Sequence, residues 1–101
     1  DGRFVYVICR VHHSLAIFEA SAVDGRLNLI GRQQLVNGSN ARNLTIDQPP
    51  HGPGFVLVAS QDANCVEVFR IDEDTGLLQK TDQQFAPCAA DVAVIGREDQ
   101  V

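Results

Sequence analysis

Tryptophan and methionine are absent from this 101-residue chain, and tyrosine occurs once. With five phenylalanines as its only other aromatics, the chain must build its interior from Val, Ile, Leu and Ala. Cysteine is scarce too. Cys9, Cys65 and Cys88 are an odd set at wide spacing, which supports neither a disulfide framework nor a CxxC zinc pattern. They read as small hydrophobes in a reducing compartment. Eight Lys and Arg stand against thirteen Asp and Glu, so the net charge is −5. An acidic balance leaves no footprint for nucleic acid or anionic lipid. No apolar run approaches the ~20 residues that a membrane-spanning helix needs. The chain also opens on no basic-then-apolar leader. These absences predict a cytoplasmic setting with no nucleic acid, membrane, cofactor or metal as partner.

What the chain does contain is a duplication. Phe4-Val5-Tyr6-Val7 returns as Phe55-Val56-Leu57-Val58, and Leu15-Ala16-Ile17-Phe18 as Val66-Glu67-Val68-Phe69. Gly25-Arg26-Leu27 returns as Gly76-Leu77-Leu78, and all three matches are displaced by 51 positions. Short apolar strands and Gly-containing turns at a period near 50 residues predict all-β architecture built from β-propeller blades, each a four-stranded antiparallel sheet. Strands are expected over 4–10, 14–20, 27–35 and 41–47, then over 55–61, 65–72, 77–85 and 89–95. Asp-Gly at 24–25 suits a hairpin turn, and the prolines of 48–54 confine that segment to a connection. The organisation that follows is a blade lacking its inner strand (1–36), a complete blade (40–86), a closing inner strand (88–95) and a polar tail (96–101). Two blades do not close a ring. Either preceding N-terminal blades or self-association must complete the propeller.

The local wording narrows the family. Asp1-Gly2-Arg3-Phe4-Val5-Tyr6-Val7, followed by Arg10-Val11-His12-His13-Ser14-Leu15-Ala16-Ile17-Phe18, resembles a stretch of the lactonase-type seven-bladed propellers. That family includes propeller-type 6-phosphogluconolactonases and carboxy-muconate cyclases. Asn40-Ala41-Arg42-Asn43-Leu44-Thr45-Ile46-Asp47, Phe55 to Asp62, Val66-Glu67-Val68-Phe69 and Thr75-Gly76-Leu77-Leu78 are similar to further motifs of the family, in the same order. The chain departs from the pattern at Ala41, where proline is usual, at Cys9 and Ser60, where asparagine is usual, and in its Pro-rich 48–53 segment. The resemblance implies the last two blades of a hydrolase that opens 6-phosphogluconolactone, in the pentose phosphate pathway. It implies as an alternative a cycloisomerase acting on a carboxy-muconate, and a third reading is a non-catalytic propeller scaffold.

Topology alone gathers a set of polar residues. Blade strands alternate in direction, so the start of each first strand and the end of each second strand share one face. Asn40 and Arg42 stand at the start of a first strand, Arg10 and Gln61 at the ends of second strands, and His12, His13 and Asp62 in adjoining loops. Lactone opening needs an activated water and donors for the oxygen that gains charge, while a small anionic sugar or carboxylate lactone needs a cationic clamp. Arg10 and Arg42 each suit either duty; the resemblance, whose cyclases carry an arginine of the proposed catalytic cluster at this strand end, implies Arg10 as the catalytic candidate. Arg42, Asn40, His12 and Gln61 are the substrate-binding candidates. The general base is expected outside the chain. His51 falls at the opposite face, and Asp24, Asp47 and Asp74 are expected to bond local backbone in turns.

Overall fold

Seven strands and no helix make up residues 3–93, the part of the chain that the computed structural model describes. The first sheet contains β1 (Phe4–Cys9), β2 (Ser14–Ala20) and β3 (Leu27–Gln34), in that spatial order. The second contains β4 (Ala41–Asp47), β5 (Phe55–Ser60), β6 (Cys65–Ile71) and β7 (Leu78–Phe85), again in chain order. All neighbouring pairs are antiparallel meanders.

Alternation decides which face of each strand is buried. In β6 Cys65, Glu67, Phe69 and Ile71 lie on the buried face, and their β5 neighbours Val56 and Val58 are fully enclosed. Val56, Val58, Phe69 and Ile71 pack against Leu15 of β2 and Leu35, just past the end of β3, so one apolar core lies between the two sheets. Each fully buried Val, Leu or Phe side chain there contributes about 1.5–3 kcal/mol. The outermost strands β3 and β7 are polar and largely exposed. Lys80 and Asp82 on β7 keep that edge from pairing with other chains.

The duplication extends to the turns. Gly25 and Gly76 both take a left-handed backbone, with φ of +72° and +76°. Each amide donates to the carbonyl four residues back, Gly25 to Ser21 and Gly76 to Asp72. His13 and Asn64 are likewise left-handed at matched positions, and their carbonyls accept from Leu35 and Ala86 respectively. In the second hairpin, however, the carboxylate that bonds the turn is that of Asp72, which accepts from the amides of Asp74 and Thr75. Asp72 occupies the position of Ser21, four residues before the glycine, where a side-chain acceptor reaches the amides inside the turn. Asp24 does bond the Arg26 amide, whereas Asp74 and Asp47 bond no backbone amide among the described residues.

The expected strand at 89–95 is not formed in its described part, 89–93. Residues 94 and 95 lie outside the described residues. An inner strand is defined by its ladder to the next strand of its own blade, and the chain carries no such strand after Phe85 among the described residues. Asn43 on β4 nevertheless hydrogen-bonds Asp91, which holds this segment beside the inner strand of the preceding sheet.

Candidate functional site

One end of the two sheets collects the ends of β1 and β5 and the start of β4. Arg10 follows the last residue of β1, Asn40 precedes the first residue of β4, and Gln61 follows the last residue of β5. Ala41 is the ladder partner of Ser60, which fixes these two strand ends side by side.

Arg10 and Asn40 are in direct contact. The guanidinium donates from Nε and Nη2 to Asn40 Oδ1 at 3.1 and 2.8 Å. Of five guanidinium N–H groups, two are used in this fork, which leaves three for a ligand. Asn40 itself holds a left-handed φ of +44°, which residues other than glycine adopt at a cost. That conformation is kept where surrounding structure enforces it. Here the carbonyl of the preceding Ser39 accepts from the Asp62 amide at 3.1 Å, and the Ser39 amide donates to the Val36 carbonyl at 3.0 Å.

Arg42 sits in a register shift between Ala41 and Asn43, so it is the unpaired residue of a β-bulge. It is exposed, and its side chain makes neither hydrogen bond nor ion pair among the described residues. His12 is exposed at the tip of the β1–β2 turn, and Gln61 is half-buried with its carbonyl accepting from the Asn64 amide. The structure thus brings Arg10 and Asn40 together and leaves His12, Gln61 and Arg42 at the same end without a side-chain bond to them. His13 Nδ1 and the hydroxyls of Ser14 and Ser39, at this end, are buried without a hydrogen-bond partner among the described residues.

A buried charge that sequence reasoning passed over lies beneath this end. The Glu67 carboxylate is fully enclosed and accepts from Ser60 Oγ at 3.1 Å, from the Val36 amide at 3.2 and 3.3 Å, and from Lys80 Nζ at 3.2 Å. The signal was available: position 67 is inward in the strand alternation, and a carboxylate at an inward position requires partners. Neighbouring Cys65 has its thiol pKa pushed up, chiefly by burial and then by the Glu67 charge, with Lys80 opposing. That keeps it a hydrophobe rather than a nucleophile.

Clefts also open at the opposite end. One, of about 620 Å³, is lined by Phe4, Gln48, Pro49, Pro50, Ile71, Glu73 and Asp74. Its charged lining residues, Glu73 and Asp74, are carboxylates, which disfavour an anionic ligand, while two neighbouring clefts set Arg70 beside Asp72 and so carry both signs.

Known proteins resemble this chain in sequence and fold. The model of a family described as lactonase, 7-bladed beta-propeller, matches residues 1–95. A 6-phosphogluconolactonase of Formosa agariphila is 41% identical over 87 residues, covering 84% of this chain and 24% of that protein. The 6-phosphogluconolactonase of Bacillus subtilis is 33% identical over 78 residues, covering 77% and 21%. The solved periplasmic gluconolactonase of Pseudomonas aeruginosa superposes with a TM-score of 0.76 at 29% identity, over 90% of this chain and 24% of that one. The chain therefore spans about a quarter of the length of the relatives it matches. The periplasmic relative corrects the expectation of a cytoplasmic setting. That expectation rested on the unpaired cysteines and on the leader not seen in the sequence; the described sheets hold together by packing, with all three cysteines free, so unpaired thiols do not fix the compartment.

Proposed function

The chain belongs to the seven-bladed β-propeller lactonase family, and from that premise we propose that it supplies two blades to an enzyme that hydrolyses 6-phosphogluconolactone to 6-phosphogluconate. The carrying observation is the Arg10–Asn40 fork at the strand-end rim. Asn40 fixes the plane of the guanidinium while three N–H donors remain for a ligand. A donor held in place before reaction stabilises the lactone carbonyl oxygen as attacking water turns it into an oxyanion. Arg42, exposed on its bulge, supplies the second positive charge, suited to the phosphate of the sugar. Asn40 is a positioning group, while His12 and Gln61 border the site and contact the sugar hydroxyls. The base that activates water comes from blades the chain does not span.

Two named 6-phosphogluconolactonases among the relatives support lactone hydrolysis over muconate cycloisomerisation or a scaffold role. The test is turnover of 6-phosphogluconolactone by the full propeller containing this chain. Arg10→Ala, with its melting transition unchanged, is expected to lower kcat/KM by about 10²–10³-fold, the loss typical of an oxyanion donor. A full propeller that leaves the lactone untouched, or an Arg10→Ala variant with normal kcat/KM, overturns the reading.

A further inference from the structure

We propose that Glu67 is a positioning residue for the Arg10 site, acting through the connection between the two sheets; the inference rests on the lactonase reading only for its kinetic arm. Both carboxylate oxygens hold the Val36 amide, at 3.2 and 3.3 Å. The Val36 carbonyl accepts the Ser39 amide, and the Ser39 carbonyl accepts the Asp62 amide. Asn40 follows directly, in its left-handed conformation, with Oδ1 on Arg10. A continuous run of bonds therefore leads from the enclosed carboxylate to the guanidinium. Each bond fixes one more residue of the connection.

The duplication shows what Glu67 is not required for. Positions 60, 67 and 80 hold Ser, Glu and Lys, and the positions 51 residues earlier hold Cys9, Ala16 and Leu29. The ladder is the same in both sheets: Val58 faces Glu67 as Val7 faces Ala16, and Phe69 faces Lys80 as Phe18 faces Leu29. The same blade frame thus forms with an apolar set in one copy and an ionic set in the other. A buried ion pair is weak evidence for stability, because well-packed apolar residues commonly replace it without loss. What distinguishes the ionic copy is its grip on the Val36 amide. Lys80, bridging Glu67 and Gln83 Oε1, provides the countercharge that lets a carboxylate stay enclosed.

The test copies the first sheet into the second. In the full propeller, Glu67→Ala with Lys80→Leu is compared with wild type and with Glu67→Gln. Solvent exchange of the Arg10 Nε–H is followed by nitrogen-15 NMR, alongside the Val56 and Val58 amides and the KM for 6-phosphogluconolactone. The double variant is expected to melt as wild type, to keep core amide protection, to exchange the Arg10 Nε–H at least tenfold faster, and to raise KM about tenfold. Glu67→Gln, keeping one acceptor, is expected to fall between. A folded double variant with wild-type Arg10 exchange overturns the proposal. So does a double variant that cannot fold, since the pair would then serve the fold itself. If wild type does not turn over the lactone while Arg10 exchange still responds, the lactonase reading fails and the positioning role stands.

Discussion

The Tyr6 hydroxyl donates a 2.7 Å hydrogen bond to the carbonyl of Gly76, seventy residues away, and so pins β1 of the first sheet to the β6–β7 turn of the second. Glu67 of β6 bonds Val36, in the connection that follows β3, and so makes a second link nearer the other end. The two sheets are thus fastened at both rims, with the apolar core between them.

Burial pushes the Tyr6 phenol up from its usual 10.0 to about 12. A group whose pKa is raised on folding contributes stability that is fully present below the unfolded value and is lost as pH climbs through the folded one. Stability is therefore expected to fall between pH 10 and about 12 as the donor of this pin ionises. Tyr6→Phe should remove that alkaline slope and cost about 1–3 kcal/mol at neutral pH, because the Gly76 carbonyl loses its partner. Denaturant melts of both proteins from pH 8 upward measure it; identical alkaline slopes would discard the pin.

The matched turn glycines give an internal control. Gly76 has φ +76°, and a Cβ there would lie 2.6 and 2.7 Å from Phe4 Cε1 and Cγ. Gly25 has φ +72° with open space around it. Gly25→Ala pays only for left-handed backbone, about 1–2 kcal/mol. Gly76→Ala adds a clash with a packed ring and is expected to cost about 2–4 kcal/mol. Equal losses in urea melts would contradict the Phe4 contact.

Period and alternation made the strands legible, because β1, β2, β5 and β6 are apolar runs between turn residues that the 51-residue displacement repeated, and the polar β3 and β7 follow the matched Gly turns. The rim followed from strand direction. The Arg10–Asn40 fork did not, since it depends on the left-handed φ of Asn40, and no rule of composition assigns that to an asparagine before a strand. Glu67 was hidden for a different reason: within Val66-Glu67-Val68-Phe69 it reads as one variable letter of a motif, and its partner is a main-chain amide 31 residues away. Asp72, rather than Asp74, bonds the second turn because the backbone places acceptors four residues before the glycine.

Asn40→Asp tests the electrostatics of the rim. A carboxylate at this position keeps the acceptor for Arg10 Nε and Nη2 but adds a negative charge beside the guanidinium. The fork becomes charge-assisted, so the full propeller should melt no lower than wild type. The positive charge of the site falls by one, so KM for an anionic lactone should rise about tenfold or more, and more steeply at low salt than at high salt. An unchanged KM would mean that the ligand does not meet Arg10.

Phe69 and Phe18 occupy matched positions on β6 and β2, yet only Phe69 is fully enclosed. It lies on the face of the second sheet that packs against the first, whereas Val5, Val7 and Phe18 form the corresponding face of the first sheet and remain partly exposed. In the 101-residue chain, Phe69→Ala should cost about 3–5 kcal/mol through lost burial and the cavity left behind. Phe18→Ala should cost clearly less, because a half-exposed ring leaves no closed cavity. In a longer protein with a preceding blade seated on Val5, Val7 and Phe18, the Phe18→Ala loss should rise to the Phe69→Ala value. Urea melts of the two variants in both lengths measure this. A Phe18→Ala loss that stays the same in the longer protein would mean that no blade covers that face.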